Sequence, residues 1–158
     1  MITPMDSNDV LEAMKLMDEA VKIDDYLAYP DRNEAYWVNG FLNILARAQG
    51  GDLDYLAIKD VEDGKMLGFM LCSTYIEQYC GRKVMDVKEM IVDHSAGKIK
   101  NAKTVKACFD YMIERVGELG RSDWRADTIR SGHLSEGYIK YLLRTYNCTA
   151  QTGVRGVL

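Results

Sequence analysis

The hydrophobic pattern changes period twice along this chain, and that change constrains the fold more than any single motif does. Val10, Leu11, Met14, Met17 and Val21 recur at helical spacing, as do Tyr36, Trp37, Phe41, Leu45 and Ala48. Between Asp54 and Val92 the spacing shortens to that of strands, and from Lys98 the helical stripe returns in Val105, Phe109, Met112, Ile113 and Val116. A chain that switches period in this way must combine helices with a sheet.

Punctuation residues set the expected boundaries. Met1–Met5 reads as a short strand, and Asp6 or Ser7 caps the first helix. Asp24–Pro30 is a connector, Asp31 caps a second helix, and Gly50-Gly51 ends it. Asp54–Lys59, Met66–Tyr75 and Val84–Val92 form a three-strand meander, turned at Glu62-Asp63-Gly64-Lys65 and at Cys80-Gly81-Arg82-Lys83. On its last strand Val87, Glu89 and Ile91 face one way, and Asp86, Lys88, Met90 and Val92 the other. After a loop at His94-Ser95-Ala96-Gly97 come a long helix from Lys98 to Leu119 and a strand at Trp124–Arg130. A short helix capped by Ser135 follows, and then a last strand at Cys148–Val157.

At 158 residues a single domain spanning 1–158 is expected, and 47% hydrophobic residues suffice for a core. The charge is divided: 14 acidic against 5 basic side chains through Asp63, then 10 against 15. No apolar run reaches membrane-spanning length, and residues 1–10 carry no signal-peptide pattern. Cys72, Cys80, Cys108 and Cys148 contain no C-x-x-C pair, so reduced cysteines and a cytoplasmic location are expected. His94 and His133 stand at no zinc-ligand spacing, so no metal site is expected.

The segment Asp86-Val87-Lys88-Glu89-Met90-Ile91-Val92-Asp93 resembles the fourth strand of the GNAT superfamily of N-acetyltransferases. That strand commonly ends in an aliphatic-x-Val-Asp pattern before the cofactor loop. The later elements follow in the family's order, so the resemblance covers nearly the whole chain. It implies an α/β (α+β) fold with a central mixed, mostly antiparallel sheet flanked by helices. It also implies acetyl transfer from acetyl-CoA to an amine acceptor by direct transfer.

In that family, backbone amides at the start of the long helix grip the CoA pyrophosphate through a Gln/Arg-x-x-Gly-x-Gly/Ala loop. A helix amino-terminus offers free N–H groups and a positive dipole end, and glycines let the backbone come close. Here the resemblance lays Gly97, Lys98, Ile99, Lys100, Asn101 and Ala102 across the loop. Ala102 matches the last position, while Gly97 replaces the basic or amide residue and Lys100 the central glycine. That departure supports a second reading, a catalytically inactive GNAT-like structural or binding protein that has lost CoA binding, as in some phage-encoded members. Lys98, Lys100, Lys103 and Lys106 oppose the dipole, so they either hold an anion or form a solvated face.

Four further roles come with the resemblance. Tyr141 falls where the family often places the acid that protonates the departing thiolate; a packing aromatic is the alternative. Glu89 and Asp86, on opposite faces of their strand, are the candidate bases, with a salt bridge or a solvent-facing edge as the alternative. The main chain of Ile91 and Val92 would pair with the pantetheine arm. Asp24, Asp25, Asp31 and Glu34 would favour a cationic acceptor such as a polyamine, aminoglycoside or lysine side chain.

Other classes fit poorly. There is no Gly-x-Ser-x-Gly elbow, and Val92 stands where a Walker loop needs its first glycine. An isoelectric point near 5.2 without clustered arginine argues against a dedicated nucleic-acid binder. The oligomeric state is open, a homodimer included.

Overall fold

A computed structural model describes residues 1–23, 34–120, 123–126 and 140–149. The strands are β1 (Ile2–Pro4), β2 (Tyr55–Glu62), β3 (Lys65–Ile76), β4 (Lys83–Val92) and β5 (Asp123–Ala126). The helices are α1 (Val10–Ile23), α2 (Glu34–Gln49), α3 (Lys98–Glu118) and α4 (140–145). The expected elements up to the short fourth helix are present, with limits shifted by a few residues. The connector Asp24–Pro30, the caps Asp31 and Ser135, and most of the last strand lie outside the described residues.

The five strands run in the order β1-β2-β3-β4-β5, antiparallel except for the parallel β4–β5 pair. This is the mixed, mostly antiparallel sheet expected. Helices cover both faces. One core joins α1 and α2 to Phe69, Leu71 and Ile91; the other joins α3 to Met70, Cys72, Met85 and Val87. Each face of β3 therefore buries alternate residues, as a central strand must.

Local chemistry accounts for the ends. Asp6 accepts from Asn8 N while Asp9 reaches back to Asp6 N at 2.8 Å, a reciprocal cap that starts a turn of 3-10 helix leading into α1. Two side chains expected in buried stripes point outward instead: Leu11 and Tyr36 are each 81% exposed. The buried stripe of α1 is carried by Ala13, Leu16, Met17 and Ala20. Small alanines let the helix approach the sheet, and the stripe turns away from Leu11.

Gly68 sits at the tightest point of the fold. A Cβ there would meet the Ile91 carbonyl oxygen at 2.6 Å and the Thr104 methyl at 2.8 Å. The missing side chain lets β3, β4 and α3 come together, and Thr104 Oγ1 then donates to the buried Asp60 at 2.8 Å.

Cys72 and Cys108 are buried in the α3-side core, and all four thiols are free. Burial pushes the Cys108 thiol up to about 12, so it stays protonated at neutral pH. No helix among the described residues is long and apolar enough to cross a membrane.

Candidate active site

β4 is irregular at one residue, and the site is built around it. Leu71 pairs with Glu89 but Cys72 pairs with Val87, which leaves Lys88 as an extra residue in the strand. Such a bulge reverses the face on which later side chains fall. Val87 belongs to the α3-side core and Ile91 to the α1/α2-side core. The expectation that Val87, Glu89 and Ile91 share a face is therefore corrected. Asp86, opposite Ser73, and Glu89, opposite Leu71, both face α1 and α2, where simple alternation had set them apart.

Glu89 is 8% exposed and accepts a hydrogen bond at 3.3 Å from the indole Nε1 of Trp37 on α2. Trp37 stacks on Phe41, their centroids 5.6 Å apart, so the indole is held by the core below it. Asp86 is bound by Lys88 at 2.5 Å and by Arg125 at 3.2 Å.

Beyond the bulge the described pairing of β4 with β5 stops. Registered pairing of β4 with β5 runs from Val84↔Asp123 to Val87↔Ala126. From Lys88 onward that edge of β4 has no strand partner among the described residues. Asp93 N donates to Leu67 O on β3 at 2.8 Å, so by alternation Val92 and Met90 direct their main-chain groups to the open edge. Of the two residues expected to meet an extended ligand, Val92 faces that edge and Ile91 faces β3.

The amino-terminus of α3 lies just after this edge. Asp93 caps the short turn His94–Ala96, accepting from the amide and hydroxyl of Ser95 at 3.0 and 2.6 Å. Lys65 stands 2.6 Å from its other oxygen. Burial alone would raise the Asp93 carboxyl, but these partners outweigh it and hold the group below its ordinary value.

Gly97, at φ +88°, begins α3 and gives it no side-chain cap. The first-turn amides of Lys98, Ile99 and Lys100 precede the first intrahelical bond, which runs from Asn101 N to Gly97 O. Asn101 Oδ1 is buried without a hydrogen-bond partner, and the Ile99 side chain is 78% exposed. The four lysines divide. Lys100 is ion-paired with Glu62 on β2, and Lys106 with Asp110 one turn along α3. Among the described residues no ion pair engages Lys98 or Lys103. Ala102, in the second turn, follows Asn101 within the helix.

On the α3 side, Tyr141 on α4 packs half-buried against the core. Its neighbour Tyr146 has a structural task. The Tyr146 hydroxyl donates to Asp110 at 2.7 Å, and its ring meets Phe109 and Trp124 at centroid distances of 5.9 and 6.0 Å. Burial, reinforced by the Asp110 contact, raises the Tyr146 hydroxyl well above the ordinary tyrosine range. Tyr141 and Glu89 thus belong to opposite faces of the sheet.

Trp37 and Arg125 were not singled out by sequence reasoning as functional. Trp37 read as one member of an apolar stripe, and only the indole N–H hinted at a buried partner. Arg125 alternates with Trp124 on a short strand, and no local pattern ties it to Asp86.

No protein-family model and no curated protein matches this chain. Solved structures do, at low identity. The ribosomal-protein-alanine N-acetyltransferase of Brucella melitensis biovar Abortus 2308 is 18% identical with a TM-score of 0.64, over 100% of this chain and 99% of that one. The aminoglycoside antibiotic 6'-N-acetyltransferase of Acinetobacter haemolyticus is 11% identical, TM-score 0.63, over 100% and 97%. A predicted acetyltransferase of Clostridium acetobutylicum, solved with acetyl-CoA, is 7% identical, TM-score 0.69, over 99% and 95%. With its five-stranded, mostly antiparallel sheet and the long helix that follows β4, this chain has the GNAT fold of the N-acetyltransferases.

Proposed function

We propose that this protein is an N-acetyltransferase that moves an acetyl group from acetyl-CoA to a primary amine by direct transfer. The observation that carries the reading is the uncapped start of α3 lying just past β4, whose outer edge beyond Val87 meets no strand among the described residues. The first supplies free amides and the positive dipole end for a pyrophosphate, and the second supplies main-chain groups for the amide-bearing arm. Gly97 and the free first-turn amides of Lys98 and Lys100 would hold the anion, with Asn101, whose own amide is taken by Gly97, behind them and Ala102 leaving room in the next turn. Lys98 and Lys103 add charge, and Val92, beside Ile91, meets the arm. The tie of Lys100 to Glu62 engages a side chain that stands where the family has glycine.

When bound, acetyl-CoA supplies an activated acyl group. Glu89 takes the proton from the acceptor ammonium, and Trp37 holds that carboxylate in place. Tyr141 holds the proton that the departing thiolate takes up. An amine that enters as a cation suits Glu89 and Trp37 together, carboxylate and aromatic face. Nothing in this chemistry needs a metal, and a cytoplasmic setting suits the free thiols.

Lys100 at the central loop position favours a second reading, a GNAT-fold binding protein without CoA. A thermal shift with acetyl-CoA separates the two. Ligand at one hundred times its dissociation constant adds about 2.7 kcal/mol. No shift at millimolar acetyl-CoA would leave the binding-protein reading standing. With binding established, Tyr141→Phe should lower turnover and leave affinity unchanged.

A further inference from the structure

Asp86 has no part in the chemistry above, yet it is a fully enclosed charge in the middle of β4, 2% exposed. A carboxylate at that depth is expensive unless cations compensate it. Lys88 Nζ stands 2.5 Å from Oδ2, and Arg125 Nε donates to Oδ1 at 3.2 Å. The Arg125 guanidinium also lies over the Tyr75 ring, 4.8 Å from its centroid. Asp86 therefore links β4 to β5 through Arg125, which in turn reaches Tyr75 on β3.

Its first partner, Lys88, is the bulged residue itself. Without an extra residue there, the period of two would carry Glu89 round to the α3 face, away from Trp37. We infer that Asp86 is a positioning residue: its ion pair with Lys88 fixes the β4 bulge and so keeps Glu89 against Trp37 on the α1/α2 face. Both Asp86 oxygens are already engaged by cations, so the residue acts through Lys88 and not on a substrate. Its consequence for catalysis rests on the reading of Glu89 as the base; the placing of Glu89 does not.

The test reads the contact itself. The chain has two tryptophans, Trp37 and Trp124, so a 15N-labelled sample gives two indole resonances, assigned with Trp37→Phe. Asp86→Asn removes the charge with little change of shape. Lys88→Met removes the other end of the pair from a partly exposed side chain. In both variants the Trp37 indole resonance should move and its hydrogen exchange quicken at least tenfold, while Trp124, in the α3-side core, keeps its exchange rate.

A Trp37 indole that stays at the parent position and rate in Lys88→Met, or in folded Asp86→Asn, overturns the inference. Equal quickening at both indoles is general loosening and counts against it as well. Lys88→Met decides alone if Asp86→Asn does not fold. Separately, a Glu89→Gln variant that transfers acetyl at the parent rate removes the base reading and leaves the indole result standing.

Discussion

Trp37 on α2 and Glu89 on β4, 52 residues apart in sequence, meet side chain to side chain, the indole Nε1 donating to Oε1 at 3.3 Å. Trp37→Phe keeps an aromatic ring to stack on Phe41 but removes the donor. At this length the bond contributes about 1 kcal/mol, which for a domain of this size is about 3 °C in melting temperature. Thermal denaturation of the variant checks this, and an unchanged midpoint would mean that the contact is energetically idle.

Gly68→Ala should be far more damaging than its one methyl group suggests. The new Cβ meets a backbone oxygen of Ile91 at 2.6 Å, and backbone cannot step aside as a side chain can. A loss of about 2–3 kcal/mol is expected in urea unfolding. Adding Thr104→Ser relieves only the methyl contact at 2.8 Å and should restore a minor part of that loss.

Glu62 holds Lys100, and both side chains are about half exposed. Glu62→Gln releases the lysine beside the start of α3. Acetyl-CoA affinity should then rise about two- to threefold at low ionic strength and return to the parent value at high salt. Calorimetric titration at two salt concentrations measures both. A variant that binds no better at low salt would show that Lys100 does not reach the anion.

Asp93 couples folding to pH. Burial opposes its ionisation, but Lys65 and Ser95 hold the carboxyl below its ordinary value in the folded chain. A carboxyl lowered by folding stabilises the native state above its unfolded pKa of about 3.9, and that contribution disappears as pH falls toward the folded value. Melting temperature should therefore drop steeply below about pH 4. Asp93→Asn should flatten that drop only partly, because Asp110, held down by Lys106 and Tyr146 against its own burial, titrates in the same direction. An Asp93→Asn profile that parallels the parent's would assign the acid sensitivity elsewhere.

The architecture was legible because it rests on periodicity. The Asp63-Gly64 turn and the three helical stripes each state their element within a few residues, and the order β2-β3-β4 followed from the short turns of the meander. The bulge at Lys88 was not legible. Val87-Lys88-Glu89 contains no glycine or proline, and the extra residue exists only in relation to β3, so Asp86 and Glu89 were assigned to opposite faces. Trp37 escaped notice as a partner of Glu89 for the same reason: their meeting is a property of packed elements, with no local trace. The crowding of lysines at α3 was visible, but their division into paired and unpaired members depended on Glu62 and Asp110.

The close approach at Gly68 has a mechanical consequence. With a β3 glycine, a β4 carbonyl and an α3 methyl interlocked at van der Waals distance, α3 cannot slide or lift without carrying both strands along. The uncapped end of that helix and the stretch of β4 beyond its bulge therefore move as one block.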